Sequence, residues 1–199
     1  MSKQCCEGKI YSTPDGSFHI LSDTSSRQPY QELEHTRYGD GVVTHTELSA
    51  PTTAAELSAI EVRVAALLME QTGTIHAILV SQHTEDREPR PGDPLRPYNQ
   101  SRLWHSTLSG TTWNSPTEIY ASDWIADRGA FPTTARSVEL VANRVVHSAI
   151  SDNGNIVVAW NEYFAKQPSD AEVPTRYRMV KRVNGTWQRR LLQKRNSLV

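Results

Sequence analysis

Short apolar runs, each broken at a glycine and followed by a second apolar run, recur three times along the chain. The first passes from Lys9-Ile10-Tyr11 through Asp15-Gly16 to Phe18-His19-Ile20-Leu21. The second passes from Val62 to Met69 through Thr72-Gly73 to Ile75-His76-Ala77-Ile78-Leu79. The third passes from Val145 to Ile150 through Asn153-Gly154 to Ile156-Val157-Val158-Ala159-Trp160. Runs of this length bounded by Gly, Asp and Asn read as strands, and Asp-Gly and Asn-Gly favour two-residue hairpin turns whose central residues both take positive φ. A second hairpin follows each first one. Tyr30 to Thr36 leads through Gly39 to Val42 to Leu48, Ser101 to Ser106 through Gly110 to Trp113 to Ile119, and Tyr177 to Arg182 through Gly185 to Trp187 to Leu192. Thr46-Glu47-Leu48 and Thr117-Glu118-Ile119 follow Gly39 and Gly110 at the same distance, so the first two units match in sequence as well as in pattern.

Two hairpins per unit make a four-stranded antiparallel meander, and three such units are the signature of propeller blades. The prediction is an all-β fold: one propeller-type domain over 1–199, a partial β-propeller with blade-like repeats at about 8–49, 60–120 and 144–192. The competing signal lies between Thr53 and Met69. Thr53-Ala54-Ala55-Glu56 reads as a capping box running into an Ala- and Leu-rich stretch, which predicts one short helix near 54–60. Val62 to Met69 is read as strand, because Arg63 and Arg144 stand equally far before Gly73 and Gly154 and each opens a similar apolar stretch.

Composition narrows the partners. Lys plus Arg number 21 against 22 Asp plus Glu, a net charge of −1, so no global field favours nucleic acid or an anionic membrane. Nothing approaches the roughly 20 consecutive apolar residues that span a bilayer, and Met1 to Ile10 lacks the apolar core of a secretory signal. As written, the chain reads as cytoplasmic or as a piece of a longer protein. Cys5 and Cys6 are adjacent, without the spacer of zinc or redox motifs, so neither a metal nor a cofactor is expected.

Ser106-Thr107-Leu108-Ser109-Gly110-Thr111-Thr112-Trp113 resembles the aspartate box of sialidases, with Leu108 in place of the aspartate, and Asn184-Gly185-Thr186-Trp187 keeps the Gly-Thr-Trp end of the same pattern. Arg63-Val64-Ala65-Ala66 resembles the Arg-Ile-Pro motif that opens an innermost strand in that family, with Ile and Pro both replaced. The resemblance implies a six-bladed propeller in which aspartate boxes lie on the face opposite the active site. Trp113 and Trp187 are then expected to pack between blades.

Length variation falls in the loops of the other face. Ser22 to Pro29, Ser49 to Ile60, Ser81 to Gln100, Tyr120 to Glu139 and Asn161 to Thr175 are long and polar, and loops of this kind commonly carry function. On that face Arg63 and Arg144 offer planar donors suited to the carboxylate of an acidic sugar. Glu162, with Tyr163 and Trp124, offers a carboxylate and stacking faces for a sugar ring. His19 and His76 hold matching places on second strands, which predicts repeated packing. No Tyr/Glu nucleophile pair can be placed, so the expectation is a non-catalytic, sialidase-like module binding carbohydrate or protein through its long-loop face. Part of a sialidase-type glycoside hydrolase and a structural assembly protein are the alternatives. Three blades leave two blade faces bare, which predicts a homodimer, or a partner chain, completing the propeller.

Overall fold

The computed structural model describes residues 8–23, 33–49, 51, 61–85, 98–121, 125–126, 137–140, 147–165 and 174–194. Among them there are strands and turns and no helix, and the strands form three separate antiparallel sheets. The helix expected near 54–60 lies outside the described residues.

Blade 1 is the meander β1 (Gly8–Ser12), β2 (Phe18–Asp23), β3 (Leu33–Gly39) and β4 (Val42–Leu48), paired in chain order. Blade 2 runs β5 (Glu61–Met69), β6 (Ile75–Glu85) and β7 (Tyr98–Ser109). Its fourth position is filled in pieces, β8 (Thr112–Trp113), β9 (Thr117–Ala121) and β10 (Ile125–Ala126), all paired with β7. Blade 3 mirrors this at its first position, where β11 (Ser137–Leu140) and β12 (His147–Ile150) both pair β13 (Ile156–Ala165). It continues through β14 (Pro174–Val183) to β15 (Thr186–Lys194).

The tight turns come in two kinds. Between first and second strands, the five-residue segments Thr13 to Ser17, Glu70 to Thr74 and Ser151 to Asn155 are closed by the fifth carbonyl accepting from the first N–H, at 2.8–2.9 Å. The glycine N–H in each donates to the first carbonyl at 2.9–3.0 Å. Only the glycine is left-handed (φ 83° at Gly16, 88° at Gly73, 74° at Gly154). These are type I turns closed by a glycine bulge, and not the two-residue turns expected from Asp-Gly and Asn-Gly. The two-residue form appears between third and fourth strands, where Asp40-Gly41 (φ 52° and 72°) and Asn184-Gly185 (φ 49° and 82°) are left-handed at both centres.

The blades stack face to face in chain order. Leu21, Leu33 and Leu48 of blade 1 pack on Val64, Ile75 and Trp113 of blade 2. Ile78, Leu103 and Tyr120 on the other side of blade 2 pack on Ile156, Val158 and Trp160 of blade 3. A blade covered on both sides must be apolar on both sides, and Ile75 to Ser81 is accordingly buried at every position. The fold is thus the all-β, three-blade partial propeller expected from the repeat, with its core in two sheets of contact between blades.

Candidate functional site: a histidine-floored cleft between blades

The turn glycines set a common numbering for the blades. Three residues beyond Gly16, Gly73 and Gly154 stand His19, His76 and Val157 on the second strands. On the third strands His35 pairs across from Leu21, His105 from Ile78 and Met179 from Ala159. His35 and His105 are therefore equivalent, and Met179 takes their place in blade 3.

In blades 1 and 2 these positions form a stacked, hydrogen-bonded histidine pair. His19 Nδ1 lies 2.9 Å from His35 Nε2, with ring centroids 5.1 Å apart and planes 15° from parallel. His76 Nδ1 lies 2.9 Å from His105 Nε2, with centroids 5.2 Å apart and 16° between planes. The following blade closes each pair with an indole edge: Trp113 against His35 at 5.4 Å and Trp187 against His105 at 5.2 Å. Both tryptophans pack between blades, as the sequence suggests, and the matching places of His19 and His76 are packing places.

Glu70 fixes the proton arrangement in blade 2. Its Oε1 lies 2.9 Å from His76 Nε2, and its Oε2 accepts from the Thr72 hydroxyl at 3.0 Å. A carboxylate only accepts, so His76 carries its proton on Nε2, and its bare Nδ1 accepts from His105 Nε2–H. Arg182 Nη1 of blade 3 lies 3.6 Å from the same Oε1. Burial pushes the Glu70 carboxyl up, but bonds from Thr72 and His76 and the charge of Arg182 outweigh it and hold the group below its ordinary value. Burial lowers all four histidines, His35 to about 4 and His105 to about 3, so the pairs are neutral at physiological pH.

The first pair floors a cleft of about 700 Å³ that opens between blades 1 and 2 on the tight-turn face. Thr13, Thr44, Thr46, Thr72, Thr111 and Gln71 supply its polar wall, and Met69, Ile75 and Leu108 its apolar one. His35 Nδ1 meets Thr46 Oγ1 at 3.0 Å. Arg37 Nη2 donates to Ser17 Oγ at 2.9 Å and lies 3.8 Å from Asp15 and 3.9 Å from Asp40. Among the described residues Asp15 is the one carboxylate lining the cleft. It accepts from the Thr13 hydroxyl and from the Ser17 N–H at 3.0 Å, which lowers it to about 2.

The residues singled out on the long-loop face are elsewhere. Arg63 is half-buried on β5, paired with Val80 on the side of blade 2 that faces blade 3. Glu162 and Tyr163 lie on β13, opposite Leu140 and Glu139 of β11, with the pairing to β14 irregular between them; their side chains lie outside the described residues. Arg144 and Trp124 also lie outside the described residues. Of the five, Arg63 is the one whose side chain is among the described residues. His35 and His105 were missed by the sequence reading, although each sits on a third strand at a fixed register from the histidine that was noticed. Among the described residues no three His, Cys, Asp or Glu side chains gather as a metal site. No family model and no curated protein matches the chain.

Proposed function

We propose that this chain is a non-catalytic, sialidase-like propeller module that works by binding a carbohydrate or a protein segment. The observation supporting recognition over catalysis is the chemistry of the cleft. Threonine hydroxyls, a glutamine amide and the Arg37 guanidinium surround an apolar wall, the mixture that meets a sugar's hydroxyls and its C–H face. Among the described residues lining the cleft, the one carboxylate, Asp15, is already engaged by Thr13 and Ser17, which supports recognition over acid–base chemistry at this place. The long-loop face, toward which Arg63 opens β5, is the other surface on which such a ligand would sit.

Titration of the protein with lactose and sialyllactose, followed by backbone amide NMR shifts, tests the reading. Binding that is lost in Arg37→Ala and kept in Arg63→Ala places the ligand in the cleft, and the reverse places it on the long-loop face. Turnover of a fluorogenic sialoside that disappears in Arg63→Ala would replace the binding module with a glycosidase.

A further inference from the structure

We propose that the outer face of blade 1 docks on the outer face of blade 3 of a second copy, so that two chains join head to tail and close one ring. The inference is independent of any ligand in the cleft.

The starting point is one row of residues repeated in each blade. Phe18, Tyr38 and Val43 lie side by side across β2, β3 and β4. The same row in blade 2 is Ile75, Leu108 and Trp113, and in blade 3 it is Ile156, Arg182 and Trp187. In blades 2 and 3 the row is pressed on the preceding blade: Ile75 is 3% exposed, Trp113 8% and Ile156 0%. In blade 1 Phe18, Tyr38 and Val43 are 49%, 44% and 49% exposed, and Ile10, on the same face, is 69% exposed. With Val42, these are the exposed large hydrophobic residues of the described chain, and all belong to blade 1. Of their equivalents in the other two blades, Ile75, Leu108, Trp113 and Ile156 are buried and Arg182 and Trp187 are half-buried, so this face has the composition of a covered surface.

The two existing junctions show what covers such a row. At each, the preceding blade presents the face built on its second- and third-strand positions, His19, Leu21 and His35 in one case and His76, Ile78 and His105 in the other. Blade 3 carries the equivalent face as Val157, Ala159 and Met179, turned away from blade 2 because Ile156, Val158 and Val180 face it. The two ends change together. Where the covering face holds a histidine pair, the covered row ends in a tryptophan whose edge meets an imidazole. Blade 3 holds Val157 and Met179 instead, and the open row of blade 1 holds Val43 instead of tryptophan, with its bulk moved to Phe18 and Tyr38. Both surfaces of the proposed junction therefore lack the imidazole–indole contact, and Lys181, across from Val157, takes the place that Arg37 holds across from His19 at the first junction. Two copies related by a two-fold axis would make this junction twice, covering the exposed row of blade 1 with the half-buried face of blade 3 in each.

The test is the mass in solution by light scattering across a range of protein concentrations, with circular dichroism to confirm folding. The expected result is twice the chain mass for the unchanged protein. Val43→Glu and Met179→Glu, with Lys181→Glu as a second probe on the blade 3 face, should each yield folded monomer. Mixing Val43→Glu with Met179→Glu should restore association, because the pair retains one unaltered junction. A monodisperse monomer at high concentration overturns the proposal. So does a dimer that responds to Val43→Glu but not to Met179→Glu or Lys181→Glu, which would mean blade 1 against blade 1, and so do open-ended polymers, which would mean that the junction does not close.

Discussion

Acid should dismantle this fold over a window set by its buried histidines. His35 is held at about 4 and His105 at about 3 against an ordinary value of 6.5, with burial the main cause and the neighbouring histidine the next. Around the first pair stand Thr46, Trp113, Arg37 and Asp15; around the second stand Glu70, Arg182 and Trp187. The folded value lies below the unfolded one, so below about pH 6.5 the unfolded chain takes up protons that the folded chain refuses. Stability is therefore full above that pH and falls as pH drops toward the folded values. At about 1.4 kcal/mol per pH unit, the gap costs on the order of 3 kcal/mol at His35 and 5 kcal/mol at His105 once each is crossed. His19 and His76, also lowered, add in the same direction. His35 and His105 together should remove about 4 kcal/mol by pH 5 and about 6 kcal/mol by pH 4, most of the margin of a domain at the lower end of the usual range of about 5–15 kcal/mol. Urea unfolding followed by tryptophan emission at pH 7.5, 6 and 5 measures this, and the midpoint should fall at each step. The double change His19→Val with His35→Met, which copies Val157 and Met179 of blade 3, should flatten the dependence. Equal midpoints at pH 7.5 and 5, or an undiminished slope in the double variant, would refute the reasoning.

Three further outcomes are expected from urea or thermal unfolding. Trp113→Ala should cost roughly 3–5 kcal/mol, as truncation of a buried aromatic does, and Trp187→Ala less, because Trp187 is half-exposed. Glu70→Ala strands the His76 Nε2–H in the 2/3 junction and should cost about 1–3 kcal/mol, while Glu70→Gln, which keeps an accepting oxygen, should cost less. Gly154→Ala should be worse than Gly16→Ala. Both glycines are left-handed, but a Cβ on Gly154 would stand 2.8 Å from Glu70 Oε1, whereas one on Gly16 meets open space.

The repeat was legible because glycine punctuates it and because apolar runs between glycines have strand length. Turn type was less so. Asn-Gly occurs in both kinds of tight turn, and what selects the longer one is outside the dipeptide: a hydroxyl or carboxylate at Thr13, Glu70 or Ser151 that bonds the residue two further on. The match of Gly39 with Gly110 was displaced by one residue. Gly39 pairs with Val42 as Ser109 pairs with Thr112, so Ser109 is the equivalent of Gly39. Thr46 and Thr117 are nonetheless equivalent, since they pair with His35 and His105, and the break at Asn114 to Pro116 makes up the difference. The cleft was not legible at all. It exists where the turns of two blades meet, and its floor is a diagonal contact between histidines 16 residues apart in sequence, which no local pattern records.

Variation among the three blades is ordered by contact between blades. His35 and Trp113 lie in different blades and far apart in sequence, as do His105 and Trp187, yet the presence of one goes with the presence of the other at both junctions. The strand pairing of a single blade does not require it, because blade 3 keeps the same register with Val157 and Met179 at these positions. The constraint belongs to the junction: a neutral imidazole pair buried from water needs a neighbour that covers it without adding charge, and an indole edge does so. Glu70 extends the same logic to the 2/3 junction, where it reaches from a blade 2 turn to His76 and to Arg182 of blade 3 beside Gly154. Stability therefore resides in the few positions where blades meet. Substitutions at a junction should couple across blades, whereas those on strand faces away from it should add independently.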